Sequence, residues 1–600
     1  MRVSIPGRRQ VADTIVHRLF EQAKKRGDKP AYLVKDASVW KATSWHEYAD
    51  EVRAVARALI ALGLKPGART CILGANRPEW VVFDVATMAA GGVPAGIYAT
   101  CSPQEVAYVL QHSKAPIALV DTRAQWEKIA QMRDELPDLR HVVMMRGAEL
   151  VDDELVLGWH ALLALGEGEA HADELSSRLD ALAPDQLATL IYTSGTTGPP
   201  KGVMLSHENL AWTARILAQV SAMEPGGRTL SYLPLSHIAE QQASIHGPIT
   251  SGGTVYFAES LDTLAADLED CSPTLFFGVP RVWEKFHAAL NRKLDEATGV
   301  KARLVRWARG VATEANVLNM RGEVPRGLLG FQYDLARRLV LNKIKQAIGL
   351  GDAVTLVSGA APISREILEF FASLDLVIQE IYGQSEDSGP TSFNLIGRTK
   401  IGSVGPAFPG VQIKIAEDSE ILVRGPNVFL GYLDDAAATA ATLQDGWLHS
   451  GDLGRLDEQG YLHITGRKKD IIITAGGKNI APKNIESAIK NHPLVHEAVV
   501  IGDRRKYLTA LISPDVEVVA VWARERGLTG APHELAEVTE SIWKMTQEVN
   551  ATLARVEQVK KILVLPRPLS VERGELTPTL KVKRGKVSEH FAEEIDSLYA

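Results

Sequence analysis

The sequence predicts an α/β fold with a large N-terminal domain of mostly parallel sheets flanked by helices and a small α+β C-terminal domain. Three observations predict it. Short apolar runs bounded by Gly, Pro or Ser alternate with stretches of helical period, the pattern of βαβ units and buried parallel strands. The chain has 600 residues, too many for one ordinary domain. Its character changes after residue 468, where a Gly pair and a long amphipathic stretch replace the earlier alternation.

In chain order, Val52, Val55, Leu59 and Leu62 sit at helical spacing within residues 49–64, and Gly63 is a natural stop. Strands are expected at 71–73, 116–120, 187–192, 254–257, 275–279, 354–357 and 376–381. The most apolar long stretch, 80–99, contains Asp84, Gly91, Gly92 and Pro94 and reads as a buried helix and a turn, not a membrane span. Val538, Ile542, Met545, Val549 and Val556 mark one long amphipathic helix. The expected domains are 1–468 and 469–600, with the boundary near Lys469.

Composition narrows the function. The chain is 46% hydrophobic and 23% charged, as in soluble globular proteins. A net charge of −7 gives no overall pull toward nucleic acid. Cys71, Cys101 and Cys271 are too few and too scattered for a disulfide framework or a structural zinc site, and they fit a reducing, cytoplasmic setting. Arg2, Arg8 and Arg9 are followed by no apolar core, so no signal peptide is expected. One segment departs from the average: residues 285–350 hold 13 Lys and Arg against 5 Asp and Glu, a net of +8 against −15 for the remainder. Leu304, Val305, Trp307, Leu335, Leu339 and Ile344 lie among those cations. Such a segment either lies on an anionic membrane surface or is a solvated helical face.

The sharpest chemical signal follows the strand at 187–192. Thr193, Ser194, Gly195, Thr196, Thr197 and Gly198 lead through two prolines to Lys201 and Gly202. Glycines let backbone N–H groups approach a polyanion, hydroxyls add donors, and Lys201 adds a point charge. This is a phosphate cradle without the Walker spacing.

Residues 192–202 resemble the signature loop of the adenylate-forming enzymes, the superfamily of acyl-CoA synthetases, peptide-synthetase adenylation domains and beetle luciferases. Further motifs of that family follow in order to Arg584. The resemblance implies that His237 lines the carboxylate pocket and that Gly359, Ala360 and Ala361 pack on adenine. It implies that Glu380, Ile381, Tyr382, Gly383, Gln384 and Ser385 form the nucleotide wall, with Tyr382 stacking on adenine and Glu386 holding Mg²⁺. Asp452 would bind the ribose, with Arg467 near the nucleotide. Lys469 would be the hinge, and Gly476, Gly477 and Lys478 would line the CoA pantetheine tunnel. Lys581 would be the catalytic lysine, chosen over Lys583 because Lys-x-x-Arg spacing then places Arg584. Thr193 and His237 join Lys581, Glu386 and Arg467 in the expected catalytic set.

Trp283, in a segment like that of long-chain members, is either a gate to the acyl tunnel or a core aromatic. The likeness is greatest to bacterial long-chain fatty acyl-CoA synthetases, with some likeness to the bubblegum type. It implies ATP, Mg²⁺ and coenzyme A, and a two-step reaction through acyl-AMP. The alternatives are a fatty acyl-AMP ligase serving a carrier protein, a luciferase-like oxygenase, and a fatty-acid binding or uptake component. Since the chain runs only to Ala600 after Arg584, no fused carrier domain is expected. The expected partners are small-molecule substrates, with peripheral membrane contact through the basic insertion and a homodimer as further expectations.

Overall fold

Ser44 fixes where the second helix begins: its hydroxyl accepts from the backbone of Glu47, whose carboxylate accepts from the Ser44 N–H, a closed capping box. The helix therefore runs Trp45–Ala61, four residues earlier than the apolar period alone suggests, and Gly63 follows it at φ 85°. The structure is a computed structural model describing residues 12–193, 199–476, 478–577 and 581–600. Ser194, Gly195, Thr196, Thr197, Gly198 and Gly477 lie outside the described residues.

The expected strands form as Arg69–Leu73, Ile117–Val120, Leu187–Thr193, Thr254–Phe257, Leu275–Gly278, Thr355–Ser358 and Ile378–Tyr382. The largest sheet has eight strands. From Leu187–Thr193 outward through Val93–Ile97, Arg69–Leu73, Ile117–Val120, His141–Met144 and Val156–Gly158 every pairing is parallel. On the other side Lys201–Ser206 and Gly431–Tyr432 add antiparallel strands. A second sheet joins Thr254–Phe257 to the N-terminal Pro30–Asp36, and a third joins Leu275–Gly278, Thr355–Ser358 and Ile378–Tyr382 in parallel. A fourth, antiparallel sheet contains Glu420–Arg424, Trp447–Leu456 and Leu462–Arg467.

After Lys469 a three-stranded sheet, Val495–Ile501, Leu508–Pro514 and Val559–Val564, is covered on two sides. Ile485, Ile489, Val538 and Ile542 fill one face, and Leu565, Val587, Phe591 and Ile595 fill the other.

Two expectations need correction. The stretch 80–99 is the helix Pro78–Ala89 and the expected turn at 90–91, but the chain then continues as a central strand, Val93–Ile97, that was not expected. Pro94 and Gly96 disguise it, since both are poor strand formers. Gly96 is required there because a Cβ would lie 2.7 Å from Ser236 Cα, so this strand approaches the His237 loop at backbone distance. The late helix is Ala536–Ala551 and stops before Val556. Asn550 turns the chain: its side chain donates to Val559 O and accepts from Val559 N–H, at 2.8 and 2.9 Å. The buried stripe is Val538, Ile542, Thr546 and Asn550, which a purely apolar period does not reveal.

The basic insertion is helical: Pro280–Asp295, Gly299–Asn319, Gly327–Ala336, a π turn over Arg337–Leu341 and Asn342–Gln346. Ala308, Val311, Ala312 and Ala315 pack against Tyr333, Ala336, Val340 and Leu341. Among the described residues no helix is long and apolar enough to cross a membrane.

Candidate active site

Strand pairing sets the mouth of the loop at 194–200. Thr193 and Lys201 are register partners, as are Tyr192 and Gly202, so the segment leaves and re-enters one antiparallel ladder. The Lys201 ammonium lies over the Tyr432 ring, 4.8 Å from its centroid, and 3.6 Å from Asp435 Oδ2. Tyr432 is held by its own pairing to Val203, and its hydroxyl donates to Glu386 Oε1 at 2.8 Å. Lys201, Tyr432 and Glu386 thus form one connected line from the loop to the wall.

The wall begins where Ile378–Tyr382 ends. Gly383 permits a backbone crossing: a Cβ there would lie 1.6 Å from Gly389 O. The chain then enters a short turn, Ser385–Asp387. Asp387 ties it by accepting from the Gln384 N–H and the Thr391 hydroxyl, both at 2.7 Å. Burial raises the Asp387 pKa well above the usual carboxylate range. Gln384 Nε2 is buried without a partner among the described residues. Glu380 is pushed up to about 7 by burial, and it accepts from the Gly402 N–H at 3.0 Å.

The facing loop is strained. Ala360 takes φ 67°, a left-handed conformation costing an alanine about 1–2 kcal/mol. Gly359 beside it has no room for a Cβ, which would sit 2.4 Å from Ile381 Cγ2. Ala360 and Ala361 are exposed, leaving an open shelf of small residues beside Ile381 and Tyr382.

Asp452 and Arg467 are cross-strand partners in the antiparallel sheet. Arg467 Nε donates to Asp452 Oδ1 at 2.7 Å, and the Tyr382 hydroxyl donates to Asp452 Oδ2 at 2.9 Å. The carboxylate is therefore fixed from two sides with lone pairs to spare. The chain leaves this sheet through Lys468, whose ammonium is paired with Asp418 at 2.6 Å and Glu420 at 3.0 Å. The next side chain, Lys469, is exposed and has no hydrogen bond or ion pair among the described residues.

From the C-terminal side comes Lys581. The Thr577 N–H donates to Lys581 O and the Lys581 N–H to Thr577 Oγ1, at 2.7 and 3.0 Å, while Leu576 and Val582 bridge. Arg584 anchors this hairpin through Glu486 at 2.6 Å and Val500 O at 2.7 Å. Lys581 keeps solvent contact, yet protein atoms crowd its ammonium and push its pKa down to about 8, with the charges of Arg467 and Lys483 adding to the effect. Asp452 and Glu386 oppose the shift, so the ammonium lies within the field of both carboxylates. Lys583 instead sits at the N-cap of the helix Arg584–His590.

His237 is lowered to about 4 by burial and then by Lys581, so it is neutral near pH 7. Its Nδ1 accepts from the Ala239 N–H at 3.1 Å, capping the short helix Ile238–Gln241.

Hydrogen bonds join Tyr382 and Arg467 to Asp452, and the Lys581 ammonium lies in the field of Arg467, Asp452 and Glu386 and itself acts on His237, so these six residues are brought together. Trp283 is elsewhere in kind. It is fully buried, its indole N–H donates to Gly278 O and Val357 O at 3.1 and 3.2 Å, and it packs edge-on to Phe276 and Phe371. Gating would require both hydrogen bonds to break. Gly476 and Lys478 are exposed on the small domain.

Tyr432, Asp387 and Lys483 were not legible as site residues. Only Asp387 left a local signal, an acid three residues after Gln384 that closes a capping box.

Glu386 suits Mg²⁺ in a limited way. No cluster of three or more His, Cys, Asp or Glu able to hold a metal occurs among the described residues. A lone carboxylate with its second oxygen outside the Tyr432 bond fits a hard cation that takes most of its shell from phosphates and water.

The chain matches the family model for AMP-binding enzymes over residues 19–433 and that for the AMP-binding enzyme C-terminal domain over 469–600. It is 36% identical to the long-chain-fatty-acid–CoA ligase ACSBG2 of Xenopus laevis over 620 residues, covering 97% of this chain and 83% of that one. It is also 36% identical to the long-chain-fatty-acid–CoA ligase FadD15 of Mycobacterium tuberculosis over 603 residues, covering 98% and 97%. Among solved structures, the anthranilate CoA ligase AuaEII in complex with anthranoyl-AMP superposes with a TM-score of 0.74 at 19% identity, covering 99% of each chain. ATP-bound MatB from Rhodopseudomonas palustris gives 0.67 at 25%, covering 97% and 99%. With both halves of the chain matched by the family's models and relatives 36% identical over nearly its whole length, this chain belongs to the AMP-binding, adenylate-forming enzyme family.

Proposed function

We propose that the chain is a long-chain fatty acid–CoA ligase working through acyl-AMP. The observation that carries this reading is the position of Lys581, set by the C-terminal hairpin within the field of Glu386, Asp452 and Arg467. The relatives named as long-chain-fatty-acid–CoA ligases, aligned over nearly the whole chain, support the substrate class.

In the first step a fatty carboxylate oxygen attacks the α-phosphorus of ATP, the bond to pyrophosphate breaks, and acyl-AMP forms. Negative charge grows on the phosphoryl and departing oxygens. Lys201 and Lys581 would meet it with positive charge, and the composition of the 193–198 segment would add hydroxyl and backbone donors. Asp452 accepts from the ribose hydroxyls while Arg467 and Tyr382 hold it still. Glu386 would hold Mg²⁺, which when bound neutralises phosphate charge. Neutral His237 lines the carboxylate side without repelling Lys581. In the second step the CoA thiol attacks the acyl carbon and AMP leaves, the thiol proton passing to solvent.

The reading takes 1–468 as the stationary body and 469–600 as a lid turning at Lys469. Adenylation uses the pose with Lys581 inward, and thioester formation uses a pose presenting Gly476, Gly477 and Lys478. Trp283 as an acyl gate and peripheral membrane contact through the insertion belong to the same reading.

The test is pyrophosphate release from ATP with palmitate, then thioester formation on adding CoA with no carrier protein. Adenylate that accumulates and never reaches CoA would make the chain a fatty acyl-AMP ligase. No pyrophosphate release at all would leave a binding or uptake role.

A further inference from the structure

The helix Gly327–Ala336 is apolar on two opposite faces. Tyr333 and Ala336, continued by Val340 and Leu341, pack inward on Gly299–Asn319. Leu328, Phe331, Leu335 and Leu339, at steps of three, four and four residues, face outward and are 72%, 67%, 38% and 44% exposed. An apolar stripe buried in the protein explains one face and leaves the other without a structural purpose. The neighbouring helix repeats the pattern. The stripe that packs at Ala308 and Val311 continues toward its N-terminus as Val300 and Leu304, 72% and 37% exposed.

The charged residues around these stripes are mostly cationic. From residue 299 to 346 there are 10 Lys and Arg and 3 Asp and Glu. Three of the ten are engaged by the protein: Arg309 with Ser373 and Phe370, and Arg337 and Lys345 with Asp375. The side chains of the other seven, Arg303, Arg306 and Arg338 among them, make no hydrogen bond or ion pair among the described residues. An exposed apolar stripe edged by unpaired cations matches the interface of a bilayer: acyl chains for the leucines and phenylalanine, anionic headgroups for the ammonium and guanidinium groups.

We propose that this helical hairpin, through the outward face Leu328, Phe331, Leu335 and Leu339 and its cationic rim, is the surface that docks the protein flat on an anionic membrane. It lies in the interface and does not span, since no described helix can cross. A second copy of the chain is a poorer occupant. A two-fold contact would set the same positive helices against each other, whereas an anionic bilayer neutralises them. The inference gives a place to the membrane contact named in the proposed function, but its evidence is independent of the reaction.

The test is co-flotation of the full chain with vesicles of phosphatidylcholine alone and of phosphatidylcholine with phosphatidylglycerol, at low and high salt. Anionic vesicles should bind the protein, neutral ones should not, and 1 M salt should release it as the screening length falls to about 3 Å. Leu328→Ser with Phe331→Ser should weaken partitioning about 10²-fold. Arg303→Gln, Arg306→Gln and Arg338→Gln together should weaken it about 10²-fold as well. Both variants should keep the parent's circular dichroism and its turnover of a soluble medium-chain acid. Partitioning indifferent to lipid charge, or unchanged in both variants, would overturn the proposal. So would dimerisation abolished by the same substitutions without vesicle binding, which assigns the face to a second copy. Turnover with no vesicle binding removes this surface and leaves the reaction standing.

Discussion

Lys581 gives a prediction whose size and pH dependence both come from the structure. Crowding and the charges of Arg467 and Lys483 bring its pKa down to about 8. The charged form is the useful one, so the contribution is present below that pKa and is lost as pH rises through it. A group of pKa about 8 is roughly 90% protonated at pH 7 and roughly 10% at pH 9. Removing one preorganised charge contact from the transition state costs about 10²–10³-fold in rate, or about 2.7–4 kcal/mol. Lys581→Ala should therefore be about 10²–10³-fold slower than the parent at pH 7, and the gap should shrink about tenfold by pH 9. The assay is kcat/KM for pyrophosphate release from fatty acid and ATP without CoA, which keeps the CoA thiol out of the profile and reports the free enzyme. Lys483→Met should move the parent's alkaline limb to higher pH, because it removes one of the depressing charges. A parent-to-mutant ratio constant from pH 7 to 9 would refute the reasoning, and a limb near 8 surviving in Lys581→Ala would assign it to another group.

Glu386→Gln keeps the shape and the Tyr432 partner but removes the charge, so adenylation should fall about 10²-fold or more, with a raised Mg²⁺ requirement in a metal titration. Near-parent rates at saturating ATP and Mg²⁺ would sink that role. Gly476→Leu should fold normally, since a Cβ meets only Thr474 Oγ1 at 3.9 Å. It should release pyrophosphate and accumulate acyl-AMP while slowing thioester formation, so equal loss of both half-reactions counts against alternating poses. Gly383→Ala should lower both activity and melting temperature, because its Cβ would fall 1.6 Å from Gly389 O and the backbone must move; an unchanged melting temperature contradicts the crossing.

The reach of the sequence followed how local each determinant is. Glu386, Asp452, Arg467 and Lys581 stood out because each lies in a compact motif whose chemistry is carried by adjacent residues. Tyr432 did not: it meets Glu386 from 46 residues away through a pairing of short strands. The strand Val93–Ile97 was hidden by Pro94 and Gly96, and Gly96 is explained only by the close approach to Ser236. The end of the helix Ala536–Ala551 was hidden because Thr546 and Asn550 continue its buried stripe with polar atoms. In the insertion, Leu335 and Leu339 were legible as part of a basic amphipathic segment. Leu328 and Phe331 were not, because which of two apolar faces turns outward is decided by packing against Gly299–Asn319.

The Asp452–Arg467 rung has a kinetic consequence. Both residues belong to paired strands, and Lys468 is tied to Asp418 and Glu420 immediately before the proposed pivot at Lys469. Under the proposed function, a lid turning after that point would turn past an Asp452–Arg467 grip that stays put. An adenylate formed in one pose would then stay held while the catalytic groups exchange, and any escape would be governed by how long the lid spends between poses. Two enzymes with equal affinity for the adenylate would then differ in how much they spill to hydrolysis, and the difference would be set at the pivot. Varying solvent viscosity, which slows domain rotation, should raise the fraction of adenylate hydrolysed per thioester made.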